Sequence, residues 1–175
     1  VDDEIVVGVV GDTIVQSFLR SPQTQNWLPA QTLEFEETIG TVYIAGPRLF
    51  VVQRGKVTVF ERSEQPDSTW RAHSEVYLST ATYKVWVGSN TIVEVDRTVD
   101  PSSHRLHTHR WNGVTWSSGP EIEAPEQCTP RFSFATQIAV SDTLVAASCK
   151  LENGNMAGVI RPLTQQMPAW HIIGM

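Results

Sequence analysis

The sequence predicts an all-β fold made of β-propeller blades, with four antiparallel strands in each of about four copies, and three observations predict it. First, a short turn followed by aliphatic or β-branched residues recurs every 42 to 52 residues. These turns begin at Asp3, Arg48, Asn90 and Asp142. Second, a tryptophan follows each turn after 22 to 28 residues, at Trp27, Trp70, Trp116 and Trp170. Third, apolar and polar residues alternate in the intervening segments with the period of two that is typical of strands.

The first copy contains three of the four expected strands. Residues 4–9 and 13–19 alternate on either side of a turn at Gly11 and Asp12, and residues 27–35 follow as the outermost strand. The innermost strand has no counterpart upstream. We therefore expect the chain to form an arc of a larger propeller, in which a further propeller segment or a protein partner completes the ring.

The second copy shows the complete pattern. Gly46 and Pro47 form the first turn, and Arg54 with Gly55 forms a tight hairpin, because glycine tolerates the positive φ that such turns demand. The four predicted strands are residues 41–45, 49–53, 56–62 and 70–78.

The third and fourth copies repeat this scheme. The strands of the third are predicted at 83–88, 91–97, 105–111 and 116–122, and those of the fourth at 134–140, 143–149, 156–163 and 170–173. The repeats, approximately 1–38, 39–80, 81–124 and 125–175, make the whole chain a single propeller region.

Both faces of these strands are largely apolar, which predicts that the sheets stack. In the third strand of the second copy, Val57 and Val59 point to one face and Thr58 and Phe60 to the other. A buried tryptophan contributes about 4–6 kcal/mol as an upper estimate, so we expect the four repeated tryptophans to act mainly as wedges between sheets. A sandwich of two sheets is the competing architecture, but it requires no repeat.

A family resemblance follows from two of these segments. The segment FATQIAVSDTLV, residues 134–145, resembles the opening of an FG-GAP repeat, Phe-Gly-x-Ser-hydrophobic-Ala followed by Gly-Asp-Thr-Leu-Val, with Ala135 where glycine is usual. The segment GKVTVF, residues 55–60, followed by Trp70, resembles the second half of that repeat. FG-GAP repeats are familiar from integrin α-subunit heads, where they form seven-bladed propellers.

The resemblance implies a module that binds other macromolecules and that is extracellular or on the cell surface. Integrin-like blades also carry an Asp-rich calcium loop, which this sequence lacks. The nearest candidate, residues 152–155, contains one carboxylate, at Glu152, and a good calcium site uses several. We therefore expect no metal and no other cofactor.

Charge and composition narrow the classes of partner. The net charge is −6 and the pI is about 5.3, so binding to nucleic acid through a basic patch is not expected. Apolar runs extend over only a few residues, which predicts no membrane span. Cys128 and Cys149 are open to two interpretations, a disulfide of a secreted protein or two small buried thiols.

The candidate binding residues are His107, His109, Arg110 and Trp111 on one predicted strand. His107 and His109 project to the same face at a spacing that suits a transition metal, but no third ligand is evident. A second hypothesis is a small basic and aromatic face, including Arg105, for an acidic partner or a sugar. The simplest alternative is a polar strand whose side chains are solvated or hydrogen-bonded.

No motif for catalysis is present. Neither cysteine has a nucleophile context, no Gly-x-Ser-x-Gly elbow occurs, and the predicted innermost strands contain no convergent acids or histidines. We therefore expect a non-catalytic module for protein recognition or structural assembly. The alternative is a carbohydrate-binding or carbohydrate-active propeller domain.

Overall fold

The computed structural model describes residues 5–63, 69–79, 82–96, 105–123, 125–126, 128, 137–163 and 169–173. Within these residues the chain is all-β, with sixteen strands in four antiparallel sheets, and the predicted fold class is confirmed. The sheets are distributed over two compact units, and the chain passes from the first unit to the second between Leu78 and Ser79. The described part of the chain contains no helix long and apolar enough to cross a membrane.

The first unit holds two sheets. Sheet 1 consists of β1 (Ile5–Val10), β2 (Ile14–Arg20) and β3 (Trp27–Glu34), in that order. Sheet 2 consists of β4 (Ile39–Ala45), β5 (Arg48–Gln53), β6 (Lys56–Arg62) and β7 (Trp70–Tyr77), also in order. Sheet 1 thus has three strands among the described residues, as the incomplete first copy predicts, and β1 lies at its edge.

The core of the first unit forms where these two sheets stack. Ile5 and Val15 of sheet 1 pack with Leu49, Val51 and Trp70 of sheet 2. Strand alternation directs these side chains inward, because neighbouring residues of a strand point to opposite faces. Gly55 has φ +77°, the positive value predicted for the β5–β6 hairpin.

The second unit also holds two sheets. Sheet 3 consists of β8 (Thr82–Gly88), β9 (Thr91–Asp96), β10 (Arg105–Trp111), β11 (Trp116–Ser118) and β12 (Ile122–Glu123). Sheet 4 consists of β13 (Ile138–Val140), β14 (Leu144–Lys150), β15 (Met156–Pro162) and β16 (His171–Ile173), in that order.

The core of the second unit joins sheets 3 and 4. Val93 and Leu106 of sheet 3 pack with Val145 and Val159 of sheet 4, and all four are fully buried. Cys128 and Cys149 lie in this core and form a disulfide. Of the two interpretations that the sequence leaves open for these cysteines, the structure therefore supports the disulfide.

One predicted strand is divided. Residues 116–122 are predicted as one strand, but β11 ends at Ser118 and β12 starts at Ile122, and both pair with β10. The interruption falls at Gly119 and Pro120, because proline has no N–H to donate to the ladder. Thr108 Oγ1 donates to the Pro120 carbonyl across the gap at 3.0 Å. Residues 134–136, predicted to open the innermost strand of the fourth copy, lie outside the described residues.

The repeated tryptophans divide into buried and exposed members. Trp70 is buried between sheets 1 and 2, and Trp170 packs on the core between sheets 3 and 4, as wedges should. Trp116 is half-buried. Trp27, in contrast, is 43% exposed, because no described sheet lies against its face of sheet 1.

Candidate functional site

The predicted binding strand is β10, and its pairing with β9 brings an unpredicted carboxylate to it. In the register of the two strands, Glu94 lies opposite His107, with His109 two residues further along β10. These three residues occupy one face of sheet 3 because they are in phase with the alternation of the two strands. The predicted common face of His107 and His109 is therefore observed, and Glu94 of the neighbouring strand lies on the same face.

Glu94 is the centre of a buried polar cluster, with 3% of its surface exposed. Its Oε1 lies 3.0 Å from His109 Nε2. Its Oε2 accepts from the Ser79 N–H at 2.9 Å and from the Thr82 hydroxyl. A buried carboxylate requires such partners, since an ion left without them in the interior is strongly disfavoured.

Two opposing effects act on the pKa of Glu94. Burial raises this pKa, because it disfavours the charged form, whereas the hydrogen bonds from His109, Thr82 and Ser79 lower it. The hydrogen bonds prevail, so the pKa of Glu94 lies below its ordinary value and the carboxylate is ionised at neutral pH. A group that accepts three hydrogen bonds and is closed to solvent is well suited to stabilising the fold and poorly suited to exchanging protons with a substrate.

Arg110 connects sheet 3 to sheet 4. Its guanidinium donates to the carbonyl of Leu163 at 2.9 Å and to the carbonyl of Asp142 at 3.0 Å. The Asp142 carboxylate in turn accepts from the Asn90 backbone N–H at 2.6 Å and from the Asn90 side-chain amide at 3.0 Å. Arg110 is thus part of a polar link between the two sheets of the unit.

The four predicted site residues do not share one surface. His107, His109 and Trp111 alternate onto one face of β10, while Arg110 points to the other. The Trp111 ring packs against Trp116, with ring centroids 5.7 Å apart and planes inclined at 49°. A single basic and aromatic face formed by Arg105, Arg110 and Trp111 is therefore wrong, because strand alternation separates Arg110 from the other two.

Sequence reasoning missed Glu94, although a signal for it was present. Glu94 is the one carboxylate within the apolar run Thr91–Val95, and a charged residue in a buried strand requires a partner. Its partners Thr82 and Ser79 come from a different strand and its preceding loop. Their proximity depends on the β8–β9 register, which the sequence does not specify.

Among the described residues, no three His, Cys, Asp or Glu side chains are grouped closely enough to hold a metal ion. The turn around Glu152, which the sequence analysis considered and rejected as a calcium loop, borders a cavity of about 430 Å³ that Glu126 and Ile172 also line. Its lining combines these two carboxylates with the apolar side chains of Leu151 and Ile172.

Exposed apolar side chains are concentrated on two sheet faces. The exposed face of sheet 1 carries Val6, Val10, Ile14, Phe18 and Trp27, which are partly or largely accessible. The exposed face of sheet 4 carries Leu144, Met156, Ile160 and Ile173, also partly or largely accessible. Contiguous apolar surface of this kind is typical of protein interaction sites.

Comparison with known proteins supports the fold. No protein-family model and no curated protein matches the sequence. Among solved structures, the chain is similar to a protein from Lactobacillus plantarum, with a TM-score of 0.61 and 10% identity, over 98% of this chain and 53% of that one. It is also similar to Kluyveromyces lactis Hsv2, with a TM-score of 0.59 and 9% identity, over 99% of this chain and 49% of that one.

A functionally unknown protein from Desulfotomaculum acetoxidans is similar as well, with a TM-score of 0.53 and 9% identity, over 99% of this chain and 65% of that one. The chain thus spans about half the length of the first two structures. These similarities are to propeller-type folds, and they confirm the predicted architecture. No family model matches, and none of these similarities points to the FG-GAP family in particular. The resemblance to FG-GAP repeats therefore stays a prediction.

Proposed function

We propose that this chain is a non-catalytic propeller module that assembles with another protein surface. The observation that carries the proposal is the concentration of large exposed apolar side chains on the faces of sheets 1 and 4. Val6, Val10 and Trp27 are 47%, 53% and 43% exposed on sheet 1. Leu144 and Met156 on sheet 4 are 42% and 56% exposed. Leaving such side chains in water is unfavourable, and a protein partner relieves that cost.

The polar residues of the predicted site support a non-catalytic role. The carboxylate of Glu94 is closed to solvent and accepts three hydrogen bonds, and Arg110 donates to two backbone carbonyls. A general acid or base must reach the reacting atom of a substrate. These side chains instead bond to neighbouring elements of the unit, so their chemistry contributes to the fold.

The disulfide supports an extracellular or cell-surface location. Cys128 and Cys149 are bonded in the core of the second unit, and disulfides persist mainly in oxidising compartments. We therefore place the proposed assembly outside the reducing cytosol.

Carbohydrate binding is the second candidate, because sheet 3 carries two neighbouring aromatic rings, those of Trp111 and Trp116. Aromatic rings bind sugars by presenting an open face. These two rings are half-buried and inclined to each other at 49°, which leaves less flat surface than a single exposed ring. A glycan array compares the wild type with Trp111→Ala, and binding lost in that variant would support the sugar-binding alternative over protein assembly.

Site-specific crosslinking tests the proposed function. A photo-crosslinking phenylalanine analogue is placed at Val10 on sheet 1 or at Met156 on sheet 4, in the cell that produces the chain. The matched control places it at Val114, which is 83% exposed in the turn after β10 and lies on neither face. We expect crosslinked protein products from the first two positions and not from the control. Equal, weak labelling from all three positions would refute the proposal.

A further inference from the structure

Two asparagines of this chain precede a glycine, and both lie in exposed hairpin turns of the second unit. Of the five asparagines in the sequence, only Asn112 and Asn153 are followed by glycine. Asn112 lies in the β10–β11 turn and Asn153 in the β14–β15 turn, and both side chains are exposed. A backbone nitrogen can attack the side-chain amide that precedes it, because one chain holds both groups and glycine has no side chain to obstruct the approach. The two turns therefore carry the same reactive pair in two different structural settings.

The first difference between the turns is at the attacking nitrogen. The reaction begins when the glycine N–H loses its proton to solvent, so a hydrogen bond from that N–H opposes it. The Gly154 N–H donates to the Leu151 carbonyl at 2.9 Å. In the part of the chain that the structure describes, no group accepts a hydrogen bond from the Gly113 N–H. Gly113 is also exposed, and no atom of a neighbouring segment lies within 4 Å of the position that a Cβ would take there. The Gly113 nitrogen is thus open to solvent, whereas the Gly154 nitrogen is protected.

The second difference is at the carbonyl that is attacked. Asn112 Oδ1 accepts from the backbone N–H groups of Val114 and Thr115, each at 2.9 Å. Among the described residues, Asn153 Oδ1 accepts from one such group, the N–H of Asn155, at 3.0 Å. Attack at Cγ moves negative charge onto Oδ1, and backbone N–H groups directed at that oxygen stabilise the charge as it develops. The β10–β11 turn therefore activates its asparagine with two donors.

We propose that Asn112 is a site of spontaneous modification, at which the folded chain converts its own asparagine into aspartate and isoaspartate. The Gly113 nitrogen forms a bond to Asn112 Cγ, and the bond from Cγ to Nδ2 breaks. Ammonia leaves with the proton that the Gly113 nitrogen gives up, and a cyclic imide remains. Water then adds to one of the two imide carbonyls and opens the ring. Water is the co-reactant, and no group is oxidised or reduced. The modification needs no partner and is independent of the proposed assembly function.

The two products affect the turn differently. Water that adds at Cγ gives aspartate, whose carboxylate keeps accepting from the N–H groups of Val114 and Thr115 and, being charged, binds them more strongly. Water that adds at the backbone carbonyl gives isoaspartate, in which the main chain runs through the side chain and is longer by one methylene. A longer turn disturbs the pairing of Trp111 with Trp116 that closes it, because turn length fixes the register of a hairpin.

Mass spectrometry of the aged wild-type protein tests the proposal without any variant. The folded chain is incubated at neutral pH, then reduced and digested with trypsin. Asn112 is the one asparagine of the tryptic peptide 111–131, whereas Asn153 lies in the peptide 151–175, where fragmentation separates it from Asn155. We expect Asn112 to deamidate at least about tenfold faster than Asn153, because the turns differ at both reacting groups and one hydrogen bond corresponds to a factor of up to about ten.

The same incubation in denaturant is the matched control. In the unfolded chain both asparagines precede glycine in a flexible segment, so the two rates should become similar. Equal rates in the folded protein, or a faster rate at Asn153, would overturn the proposal. A rate ratio that is the same in the folded and unfolded chain would overturn it as well, because the flanking sequence and not the turn would then set the rate.

Asn112→Asp tests the part that the side-chain oxygen plays. This variant has the structure of the aspartate product, and we expect it to keep the wild-type melting temperature, because its carboxylate replaces Oδ1 as the acceptor of the turn. Isoaspartate-containing protein, separated from the aged sample by ion exchange, should melt at a lower temperature than Asn112→Asp. If Asn112→Asp itself melted as low as the isoaspartate form, the two hydrogen bonds to Oδ1 and the activation inferred from them would be wrong.

Discussion

The buried cluster around Glu94 gives a quantitative prediction for stability. Glu94→Ala removes the acceptor for the Ser79 N–H, the Thr82 hydroxyl and the His109 ring, and leaves three donors in the interior. Leaving a buried donor without its acceptor typically costs about 1–3 kcal/mol, so the loss of one acceptor by three donors costs about 3–5 kcal/mol, since such losses are not fully additive. We therefore expect Glu94→Ala to lower the free energy of unfolding by about that amount, measured by urea denaturation.

Glu94→Gln refines the prediction because it preserves the shape and removes the charge. Its amide oxygen can still accept from Ser79 and Thr82, so the expected loss is smaller, about 1–2 kcal/mol. Glu152→Ala is the matched control, since Glu152 is exposed at a turn, and it should change stability by less than about 0.5 kcal/mol. A loss below about 1 kcal/mol for Glu94→Ala would contradict the assignment of Glu94 as the centre of the cluster.

The same cluster predicts how stability depends on pH. The folded-state pKa of Glu94 lies below its ordinary value of 4.5, so the unfolded chain binds the proton more readily than the folded protein. The stability contributed by the carboxylate is therefore fully present above about pH 4.5 and is lost as the pH falls through the lower folded-state pKa. Denaturation of the wild type and Glu94→Gln from pH 7 downwards measures this. The difference between them should shrink below pH 4.5, and a constant difference would refute the explanation.

Three further predictions concern packing. Trp70→Ala should cost about 3–5 kcal/mol in chemical denaturation, because the ring is buried between two sheets, whereas Trp27→Ala should cost about 1 kcal/mol or less in the monomer. Replacing both disulfide cysteines with serine should lower the stability of the second unit by about 3 kcal/mol, seen as a lower thermal midpoint that added reductant no longer changes. Gly119→Ala should destabilise the protein by about 1–3 kcal/mol, because its Cβ would collide with Thr108 Oγ1, and an unchanged melting temperature would contradict this.

The elements that depend on local sequence were predicted well. The hairpin of Gly55 and the strands around it agree with the structure to within a residue or two, because alternation and turn chemistry are properties of consecutive residues. The split of the predicted strand 116–122 was missed, although Pro120 was the available signal. The strand that carries His109 and Arg110 was predicted, but the partners of these two residues were not. Glu94 reaches His109 through the β9–β10 register, and Asp142 reaches Arg110 through the stacking of sheet 4 on sheet 3.

The sequence by itself determined the repeat and the order of the strands within each copy. These follow from the periods of apolar residues, glycine turns and tryptophans along the chain. Only the tertiary structure decided that Cys128 and Cys149 are bonded, that His109 is paired with Glu94, and that Trp70 is buried while Trp27 is exposed. The physical reason is that each of these depends on which sheet face lies against another, and contacts between segments far apart in the chain leave no mark on local spacing.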